Sequence, residues 1–375
     1  MAHRVSLEID IRKLKKNFNA LLQRVSPAEV MAVVKANAYG LGVKKIAPVL
    51  KDAGAKYFAV ATVDEAEEIK DYGLPIQILG NVFDNEIADA VKMDLIIPAA
   101  DFANACQINQ EAAEQNKKIR IAIPVDTGMG RIGQLPSDAL NTIIKIKNEL
   151  ENVEFFGIYS HLSTAWKLED DYTFNQIEKL ENLLTELQKK NIYPPHIYIA
   201  ASNGISNYQK SFRQPFNIVR CGINMYGFTE TQEDLQLEEV ARFTAKLIAV
   251  RELPAGSSIG YNRMHTLKKA SKVGTIAAGY ADGIPLALSN CGRVLVCGKS
   301  VPIIGRISMD YTTILLDDAP EAAIGDEVVL FGRQQDAFIP VDEWANAKKT
   351  HPHELFCAIG SRVKRVYLNT ECSND

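Results

Sequence analysis

The stretch VMAVVKANAYGLGVKKIAPVLKDAG, residues 30–54, contains the signals of a strand, a turn and a helix in direct succession. Its first five residues are apolar and rich in valine, which is typical of a buried strand. Small residues, a tyrosine and two glycines follow and predict a tight turn. Residues 43–54 then predict an amphipathic helix. Lys35 therefore lies where a buried strand opens into a loop.

Lys35 has two interpretations at this stage. A buried strand should not end on an unpaired ammonium group, because burying an unpaired charge is unfavourable. The lysine is therefore either an ordinary surface residue at a strand end or a functional group in a turn that is shaped around a ligand. The stretch alone does not decide between them.

The alternation of apolar strands and amphipathic helices continues to residue 220. Strands are predicted near residues 30–34, 57–61, 76–79, 94–98, 119–125, 155–160, 196–200 and 217–220. Helices are predicted between them, for example over 43–54, 64–73 and 173–191. Eight strands separated by helices favour an α/β fold of the (β/α)8 TIM-barrel type. An open, doubly wound sheet is the alternative, because strands can be miscounted from one sequence.

The sequence after residue 240 has a different pattern. Short strands with glycine and proline turns replace the helices there. A chain of 375 residues is also too long for one ordinary domain. We therefore predict a (β/α)8 barrel domain over residues 1–240 and a C-terminal mainly-β domain over residues 241–375.

Composition argues against several classes of protein. The net charge of −4 comes from 42 basic and 46 acidic residues that are well mixed, which argues against a nucleic-acid surface. The N-terminus lacks the apolar segment of a secretory signal, and no apolar run approaches a membrane span. Because the cysteines show no C-x-x-C spacing, we expect a cytoplasmic protein with reduced thiols and no metal site. The six cysteines lie at positions 106, 221, 291, 297, 357 and 372.

Chemically useful side chains follow the predicted barrel strands. The functional groups of a barrel enzyme lie just past the C-terminal ends of its strands. At these positions the sequence has Lys35, Arg131, His161, Ser202 and Arg220. Phosphate sites in barrels typically lie in the loops after strands 7 and 8, where Ser202 and the backbone amides near Gly222 fall. A reactive lysine facing a phosphate site suggests covalent binding of a phosphorylated aldehyde.

The segment GMGRIG, residues 128–133, matches the G-x-G-x-x-G pattern of dinucleotide-binding proteins. The pattern alone is a weak signal, and here it follows the fifth predicted strand instead of opening the chain. We interpret the glycines as a turn that lets Arg131 point inward. We therefore do not predict a nicotinamide or flavin site.

Five motifs together resemble the alanine racemase family, whose enzymes use pyridoxal 5′-phosphate (PLP). They are VVKANAYGLG at 33–42, VDTGMGRIG at 125–133, VRCGINMYG at 219–227, GYADG at 279–283 and VPIIGRISMD at 301–310. The resemblance spans nearly the whole chain, and the first motif is the family's cofactor-lysine signature. It implies an isomerase that interconverts L- and D-alanine, supplies D-alanine for bacterial peptidoglycan and binds PLP covalently through Lys35.

The resemblance also implies a pair of catalytic residues. Racemisation removes a proton from one face of Cα and returns one to the other, which needs one mobile base or two fixed ones. The family uses two, and the matching residues are Lys35 and Tyr261. In the family the tyrosine comes from the partner subunit, which implies a homodimer with shared active sites. A phenol acts as a base at neutral pH only beside cations, and Arg131 and His161 are the expected ones.

Further roles carry over from the same motifs. The matching cofactor-binding positions are Tyr39, His161, Ser202, Arg220, Gly222 and Ile223. Arg131 and the backbone of Met309 match substrate-binding positions, the second again from the partner subunit. Arg220 matches the residue that faces the pyridine nitrogen of PLP, and His196 and Tyr280 match residues behind it. An arginine stays protonated, so it donates a hydrogen bond to this nitrogen and leaves it unprotonated.

Three positions depart from the family pattern. Many members have a carbamylated lysine that supports the substrate-binding arginine, whereas this chain has Pro124, which has no side-chain amine. Where the family usually has a tyrosine near the phosphate, this chain has His353. The turn around the catalytic tyrosine reads Gly260-Tyr261-Asn262. These departures leave open whether alanine is the preferred substrate.

Three alternatives stay open beside the racemisation of alanine. The first is a broad-specificity or serine racemase of the same fold. The second is a decarboxylase of the same fold group, which is disfavoured because those enzymes place a carboxylate at the pyridine nitrogen, where this chain has Arg220. The third is a non-catalytic PLP-binding protein with a similar barrel, which is disfavoured because such proteins lack the second domain that contains Tyr261.

Overall fold

The computed structural model describes residues 3–229 and 235–370. These residues form two compact units. One unit, which we call the barrel unit, is drawn from Leu14–Ala38 and Gly42–Glu238. The other, which we call the β unit, is drawn from Met1–Lys13, Tyr39–Leu41 and Glu239–Asp375. Cys372 lies outside the described residues.

The first strand of the chain, β1 (Val5–Asp10), belongs to the β unit, and eight short strands of the barrel unit follow it. Those eight are β2 (Glu29–Val33), β3 (Tyr57–Val60), β4 (Ile76–Ile78), β5 (Ile97–Pro98), β6 (Ile119–Pro124), β7 (Val153–Tyr159), β8 (His196–Tyr198) and β9 (Ile218–Cys221). They overlap all eight predicted ranges, because buried apolar runs such as 30–33 form strands that are covered on both faces.

The barrel strands form two four-stranded parallel sheets, in the orders β4-β3-β2-β9 and β5-β6-β7-β8. Backbone hydrogen bonds connect their edges. The Ile78 N–H donates to the carbonyl of Ile96 at 3.1 Å on one side, and the Asn217 N–H donates to the carbonyl of Ile197 at 3.0 Å on the other. The strands therefore follow one another in chain order, as the predicted (β/α)8 arrangement requires.

Helices alternate with these strands. They are Ile11–Val25, Val43–Asp52, Val63–Glu67, Ile87–Lys92, Phe102–Glu114, Pro136–Glu149, Asp171–Lys189 and Ser202–Asn207. The longest, Asp171–Lys189, shows why they form. Asp170 caps it by accepting from the Thr173 N–H at 3.1 Å, and the apolar face that contains Ile177 and Leu180 is fully buried. The sequence predicts this helix over residues 173–191.

The β unit contains β1 and ten later strands. These are β10 (Ala241–Leu253), β11 (Ser258–Ile259), β12 (His265–Thr266), β13 (Ser271–Ile276), β14 (Arg293–Val296), β15 (Lys299–Pro302), β16 (Thr312–Leu315), β17 (Glu327–Gln334), β18 (Ala337–Ile339) and β19 (Lys364–Leu368). The central path of its main sheet is β15-β14-β17-β10-β1-β19. The helices Val341–Lys348 and Pro352–Cys357 complete the unit, and Trp344 packs edge-on against Phe331 at 5.4 Å between ring centroids.

β1 lies between β10 and β19 in this sheet. Val5 is opposite Ala245 in the antiparallel pair with β10, and Ser6 is opposite Lys364 in the parallel pair with β19. Pairing between residues so far apart in the chain leaves no local signal in the sequence. Because β1 pairs with β10 and β19, the first residues of the chain group with the β unit. The division into domains near residue 240 stays a prediction.

Two further findings concern the described residues as a whole. None of the helices within 3–229 and 235–370 combines the length and apolar composition that a membrane crossing needs. In the same ranges, no three His, Cys, Asp or Glu side chains are grouped so that they could hold a metal ion.

Candidate active site

The turn after Lys35 is left-handed. The chain continues from β2 through Ala36, Asn37 and Ala38 with φ angles of 52°, 54° and 52°. L-residues rarely adopt this conformation, which costs on the order of 1–2 kcal/mol per residue. Such a turn persists only where its surroundings determine it.

Side chains of the barrel unit hold the first part of this turn. Glu65 accepts from the Ala36 N–H at 2.7 Å through one carboxylate oxygen and from the Ala61 N–H at 2.7 Å through the other. The Asn37 side chain accepts from the Val43 N–H at 2.8 Å. Glu65 thus ties the residue after Lys35 to the end of the neighbouring strand β3.

Arg220 lies in β9 with only 5% of its surface exposed. One of its terminal nitrogens donates to the carbonyl of Ser160 and to that of Ile199 at 3.1 Å, and lies 3.4 Å from Nδ1 of His161. Its Nε is buried and donates to no group of the described chain. Because a guanidinium stays protonated even where burial lowers its pKa, Nε remains a donor that is ready for an acceptor.

Two tyrosines flank the guanidinium of Arg220. Its Cζ lies 5.6 Å from the ring centroid of Tyr159 and 5.6 Å from that of Tyr198. The two rings stack at 5.4 Å with an interplanar angle of 4°, and the Tyr198 hydroxyl donates to Oε1 of Gln77 at 2.7 Å. These rings stabilise the buried cation without adding a negative charge.

Tyr198 lies beside Arg220, and His196, which is predicted to lie behind the arginine, contacts two other rings. The His196 ring lies 4.3 Å from that of Phe156 and 6.0 Å from that of Tyr57. Both His196 and Tyr198 lie in β8, and residues two apart point to the same face of a strand. Tyr198 is about 6.6 Å nearer the C-terminal end, where the arginine is reached. The role of His196 behind Arg220 stays a prediction, and Tyr198 is the residue of β8 that lies beside the guanidinium.

His161 follows β7 and lies among cations. Burial, followed by the charges of Arg220, Arg131 and Lys35, lowers the pKa of His161 to about 3. The structure thus brings these four side chains together. A neutral His161 accepts from Arg220 through Nδ1 and carries its proton on Nε2. It therefore supplies no positive charge to a phenolate, which leaves Arg131 as the expected cation beside Tyr261.

The pH dependence of stability tests this assignment. Between pH 6.5 and about 3, the unfolded chain binds a proton at His161 that the folded chain does not. The free energy of unfolding of the cofactor-free protein should therefore fall with decreasing pH in this window, by up to about 1.4 kcal/mol per pH unit from this group. When the free energy of unfolding is measured with urea at each pH, His161→Gln should remove this contribution to its pH dependence. His351→Gln, at an exposed position, should keep it. Equal slopes for the wild type and His161→Gln would contradict the assignment.

Ser202, Gly222 and Asn224 form a short hydrogen-bonded chain. The Gly222 N–H donates to Oγ of Ser202 at 3.2 Å, and this hydroxyl donates to Oδ1 of Asn224 at 3.1 Å. Asn224 is fully buried, and its Nδ2 donates to no group of the described residues. Gly222 and Ile223 follow β9 directly. The barrel unit therefore has a second buried donor without an acceptor, next to the predicted phosphate-binding residues.

A carboxylate holds the loop of Arg131. Asp126 accepts from the N–H groups of Gly128 at 2.8 Å, Met129 at 2.8 Å and Gly130 at 3.0 Å. Burial raises the pKa of Asp126, but these bonds outweigh it and lower the pKa overall. Arg131 itself is exposed and makes no hydrogen bond to the described part of the chain. The loop is thus fixed while its guanidinium stays available.

The candidate residues of the β unit are exposed. Tyr261, Tyr280 and Met309 expose 68%, 43% and 53% of their surfaces. Tyr261 follows Gly260, whose φ is 71° and where a Cβ would lie 3.0 Å from the backbone nitrogen of Arg306. Glycine is therefore required before the tyrosine.

Arg362 joins two loops of the β unit. It donates to the buried Asp282 at 2.7 and 2.9 Å and to Asp310 at 2.8 Å, and these bonds raise its pKa. The carbonyl of Met309 accepts from the Ala281 N–H at 3.1 Å. The Met309 N–H donates no hydrogen bond among the described residues. That amide, predicted to bind the substrate carboxylate, is thus available in a well-held loop.

Tyr39 also belongs to the β unit, and its ring centroid lies 5.8 Å from that of His353. The sequence predicts Tyr39 as a phosphate-binding residue and marks His353 as a departure from the family. The departure therefore falls beside a predicted cofactor residue.

Sequence reasoning missed Glu65, Asp126, Tyr198 and Asn224. Thr62 and Glu65 match a capping-box pattern, which indicates a helix start but not the bond to Ala36. Asp126 precedes a glycine-rich turn, and that pattern favours a side chain that caps backbone amides. Tyr198 and Asn224 have no such signal, because their roles depend on contacts across the barrel.

Two family models match the chain. The model described as "Alanine racemase, N-terminal domain" matches residues 9–230, and the model described as "Alanine racemase, C-terminal domain" matches residues 240–367. Together they cover most of the described barrel and β units.

Curated relatives and solved structures are similar over almost their full lengths. Alanine racemase 2 of Caldanaerobacter subterraneus is 36% identical over 96% of this chain and 94% of the relative. Alanine racemase of Halothermothrix orenii is 36% identical over 96% of each chain. The crystal structure of alanine racemase from Bartonella henselae with covalently bound pyridoxal phosphate has a TM-score of 0.88 at 31% identity, covering 98% of this chain and 100% of that one. These likenesses confirm the predicted fold class.

Proposed function

This chain belongs to the alanine racemase family, and we propose that Lys35 and Tyr261 carry out its reaction as two opposed proton-transfer groups. The chain is a PLP-dependent isomerase that interconverts L- and D-alanine. The observation that best supports the proposal is the convergence of Lys35, Arg131 and Arg220 on one neutral histidine, His161. A site with three cations and a neutral imidazole suits an anionic cofactor and an amino-acid carboxylate.

We propose a set of residues that hold PLP. The buried N–H at Nε of Arg220 suits the pyridine nitrogen of PLP. This N–H has no acceptor among the described residues, and the guanidinium keeps its proton while it donates a hydrogen bond. The neutral His161 accepts a hydrogen bond from the guanidinium of Arg220 through Nδ1 and so helps to hold the arginine in place. The remaining proposed cofactor-binding residues are Tyr39, Ser202, Gly222 and Ile223, with Lys35 as the covalent attachment. PLP, when bound, withdraws electrons from the Cα of an attached amino acid and so acidifies its proton.

The chain's own residues then move the protons. Once the amino group of the substrate has replaced Lys35 on the cofactor, Nζ of Lys35 would take or return a proton on one face of Cα, and the phenol oxygen of Tyr261 would do so on the other. Arg131 stabilises the phenolate by its charge and orients the substrate. The N–H of Met309 donates to the substrate carboxylate. Arg220 would donate a hydrogen bond to the pyridine nitrogen and leave it unprotonated, which would make the bound cofactor a weaker electron acceptor than one paired with a carboxylate.

We propose a homodimer in which each site takes Tyr261 and Met309 from the partner subunit. The exposed side chains of these residues support this, together with Met264 and Tyr311, which expose 46% and 44% of their surfaces. The barrel unit has its own exposed apolar side chains in one segment, namely Trp166, Leu168, Tyr172 and Phe174. Exposed apolar clusters of this kind mark protein–protein interfaces. The symmetric pairing of the two surfaces would cover both.

We propose two further properties of the chain. Its domains divide near residue 240, in line with family models that end at 230 and begin at 240. A cytoplasmic location is proposed because the scattered cysteines suit a reducing compartment.

The decisive experiment follows the optical activity of alanine. The purified, PLP-loaded protein should convert L-alanine to the racemic mixture, seen as a decay of circular dichroism to zero, and it should do the same from D-alanine. L-Serine and a larger amino acid tested in parallel separate an alanine racemase from one of broad specificity. A PLP-loaded protein that leaves every amino acid unchanged would refute the proposed function.

Pro124 gives a prediction that separates this chain from its carbamylated relatives. Its carbonyl accepts from the Gln134 N–H at 3.0 Å, and its ring offers no amine for carbon dioxide. Arg131 is exposed in the single chain, but beside a substrate it needs an acceptor, and we expect an amide, a carbonyl, a chloride ion or water to supply it. Activity should therefore be the same in carbon-dioxide-free and bicarbonate-containing buffer, and the intact mass should show no carbamate. Loss of activity without bicarbonate, restored on its addition, would exclude this account of Arg131.

A further inference from the structure

The segment Tyr39–Leu41 completes the left-handed turn and belongs to the β unit, although the residues on either side belong to the barrel unit. Tyr39, Gly40 and Leu41 are buried. Gly40 has a φ of 79°, and a Cβ at this position would lie 2.4 Å from the carbonyl oxygen of Phe356. The C-terminal part of the chain therefore packs directly on Gly40, within the β unit.

Arg365, in β19, holds this segment by its backbone. Its Nε donates to the carbonyl of Gly40 at 3.0 Å. Its two terminal nitrogens donate to other carbonyls of the same unit, those of Gly360 at 2.6 Å, Val363 at 2.9 Å and Ile359 at 2.8 Å. No carboxylate pairs with Arg365 in the described ranges. This half-buried guanidinium donates only to carbonyls and so links four backbone positions of the β unit to one another.

Tyr367 adds a second bond to the same segment. Its hydroxyl donates to the carbonyl of Leu41 at 2.8 Å. Successive carbonyls of the turn, those of Gly40 and Leu41, are thus bound by two side chains of one strand, β19. Because Arg365 and Tyr367 are two residues apart in a strand, both point to the same face.

We propose that Arg365 is a positioning residue for the cofactor: its bond to the Gly40 carbonyl keeps the left-handed turn in the one conformation in which Lys35 and Tyr39 bind PLP. The turn is intrinsically unfavourable, so it needs fixed partners at both ends. Glu65 holds the start at Ala36, and Arg365 with Tyr367 holds the end. This inference rests on the roles of Lys35 and Tyr39 in the proposed function.

Hydrogen exchange on the full-length chain, measured without PLP, tests whether Arg365 and Tyr367 hold the turn in one conformation. The turn contains amides with bonds of their own, from Ala38 to Val34 and from Gly42 to Asn37. Arg365→Lys keeps the charge but loses the planar fork, so these amides should exchange about tenfold faster or more, while exchange in β10 and β17 stays unchanged. Tyr367→Phe, a milder change, should act in the same direction. Arg251→Lys, at an exposed position of the same unit, is the matched control.

PLP affinity provides the second measurement. Arg365→Lys should bind PLP about tenfold more weakly or worse, with an unfolding midpoint close to that of the wild type. A purely structural role would lower the midpoint and leave the affinity per folded molecule unchanged. Unchanged exchange in the turn for both variants, or faster exchange with unchanged PLP affinity, would overturn the inference. A wild-type chain that binds no PLP would instead refute the proposed function. The exchange rates of the cofactor-free protein would still show whether Arg365 and Tyr367 hold the turn.

Discussion

Replacing Lys35 by alanine is expected to lower racemisation by at least about 10⁴-fold and to remove the covalent attachment of PLP. Both losses have one cause, since the same amine is proposed to bind the cofactor and to carry a proton on one face of Cα. The fold should survive, because Lys35 lies beyond the end of β2 and is only partly buried. Circular dichroism of alanine measures the activity, and the visible absorption of the protein measures cofactor binding.

Borohydride reduction locates the attachment directly. Trypsin cannot cleave at a modified lysine, so the adduct on Lys35 should appear in one peptide that spans residues 25–44. Lys45→Ala, at an exposed position in the following helix, should keep the adduct, the yellow colour and the activity. An adduct on any other lysine would show that the central assignment is wrong.

Removing the hydroxyl of Tyr261 should be nearly as damaging as removing the lysine. Tyr261→Phe keeps the ring and loses only the group that is proposed to transfer protons on the second face, so activity should fall by about 10²–10⁴-fold. The side chain is 68% exposed in the single chain, so the folded structure should not change. PLP binding and its borohydride adduct should also persist, which separates this variant from Lys35→Ala.

Mixing the two inactive variants tests whether the sites are shared. In a head-to-tail dimer of a Lys35→Ala chain and a Tyr261→Phe chain, one site has both native residues and the other has neither. Random exchange of subunits from equal amounts should therefore restore about a quarter of wild-type activity. Differently tagged chains show that exchange has taken place. No recovery in exchanged dimers would mean that Lys35 and Tyr261 of the same chain, or neither, form the site.

The barrel could be predicted because its signals are local. Each strand is a short run of buried apolar residues, as in 30–33, and each helix has a buried stripe, as in Asp171–Lys189. The residues after the strand ends could be located for the same reason. Lys35, Arg131, His161 and Arg220 do come together, because the carboxyl ends of parallel strands meet at one face.

Other features could not be predicted because they depend on distant contacts or on exact strand ends. The left-handed conformation of Ala36 to Ala38 has no signal in residues that ordinarily prefer the right-handed region. The place of Tyr198 beside Arg220 could not be predicted either, because the sequence does not show where β8 ends, and two residues along a strand keep the face but change the depth. The charge of His161 depends on burial among three cations, which composition cannot reveal.

The position of β1 between β10 and β19 has a consequence for how the protein is made and handled. β1 is synthesised well before β10 and β19, so the sheet around β1 cannot be complete until the ribosome has made residues 364–368. Until then β1 is an unpaired strand, and unpaired strands are prone to pairing with other chains. The same arrangement means that the β unit cannot be excised as one contiguous gene fragment. A cut before residue 239 would leave behind both β1 and the Tyr39–Leu41 segment, and a permuted chain in which β1 follows β19 would bring β1 next to its partner strand in sequence.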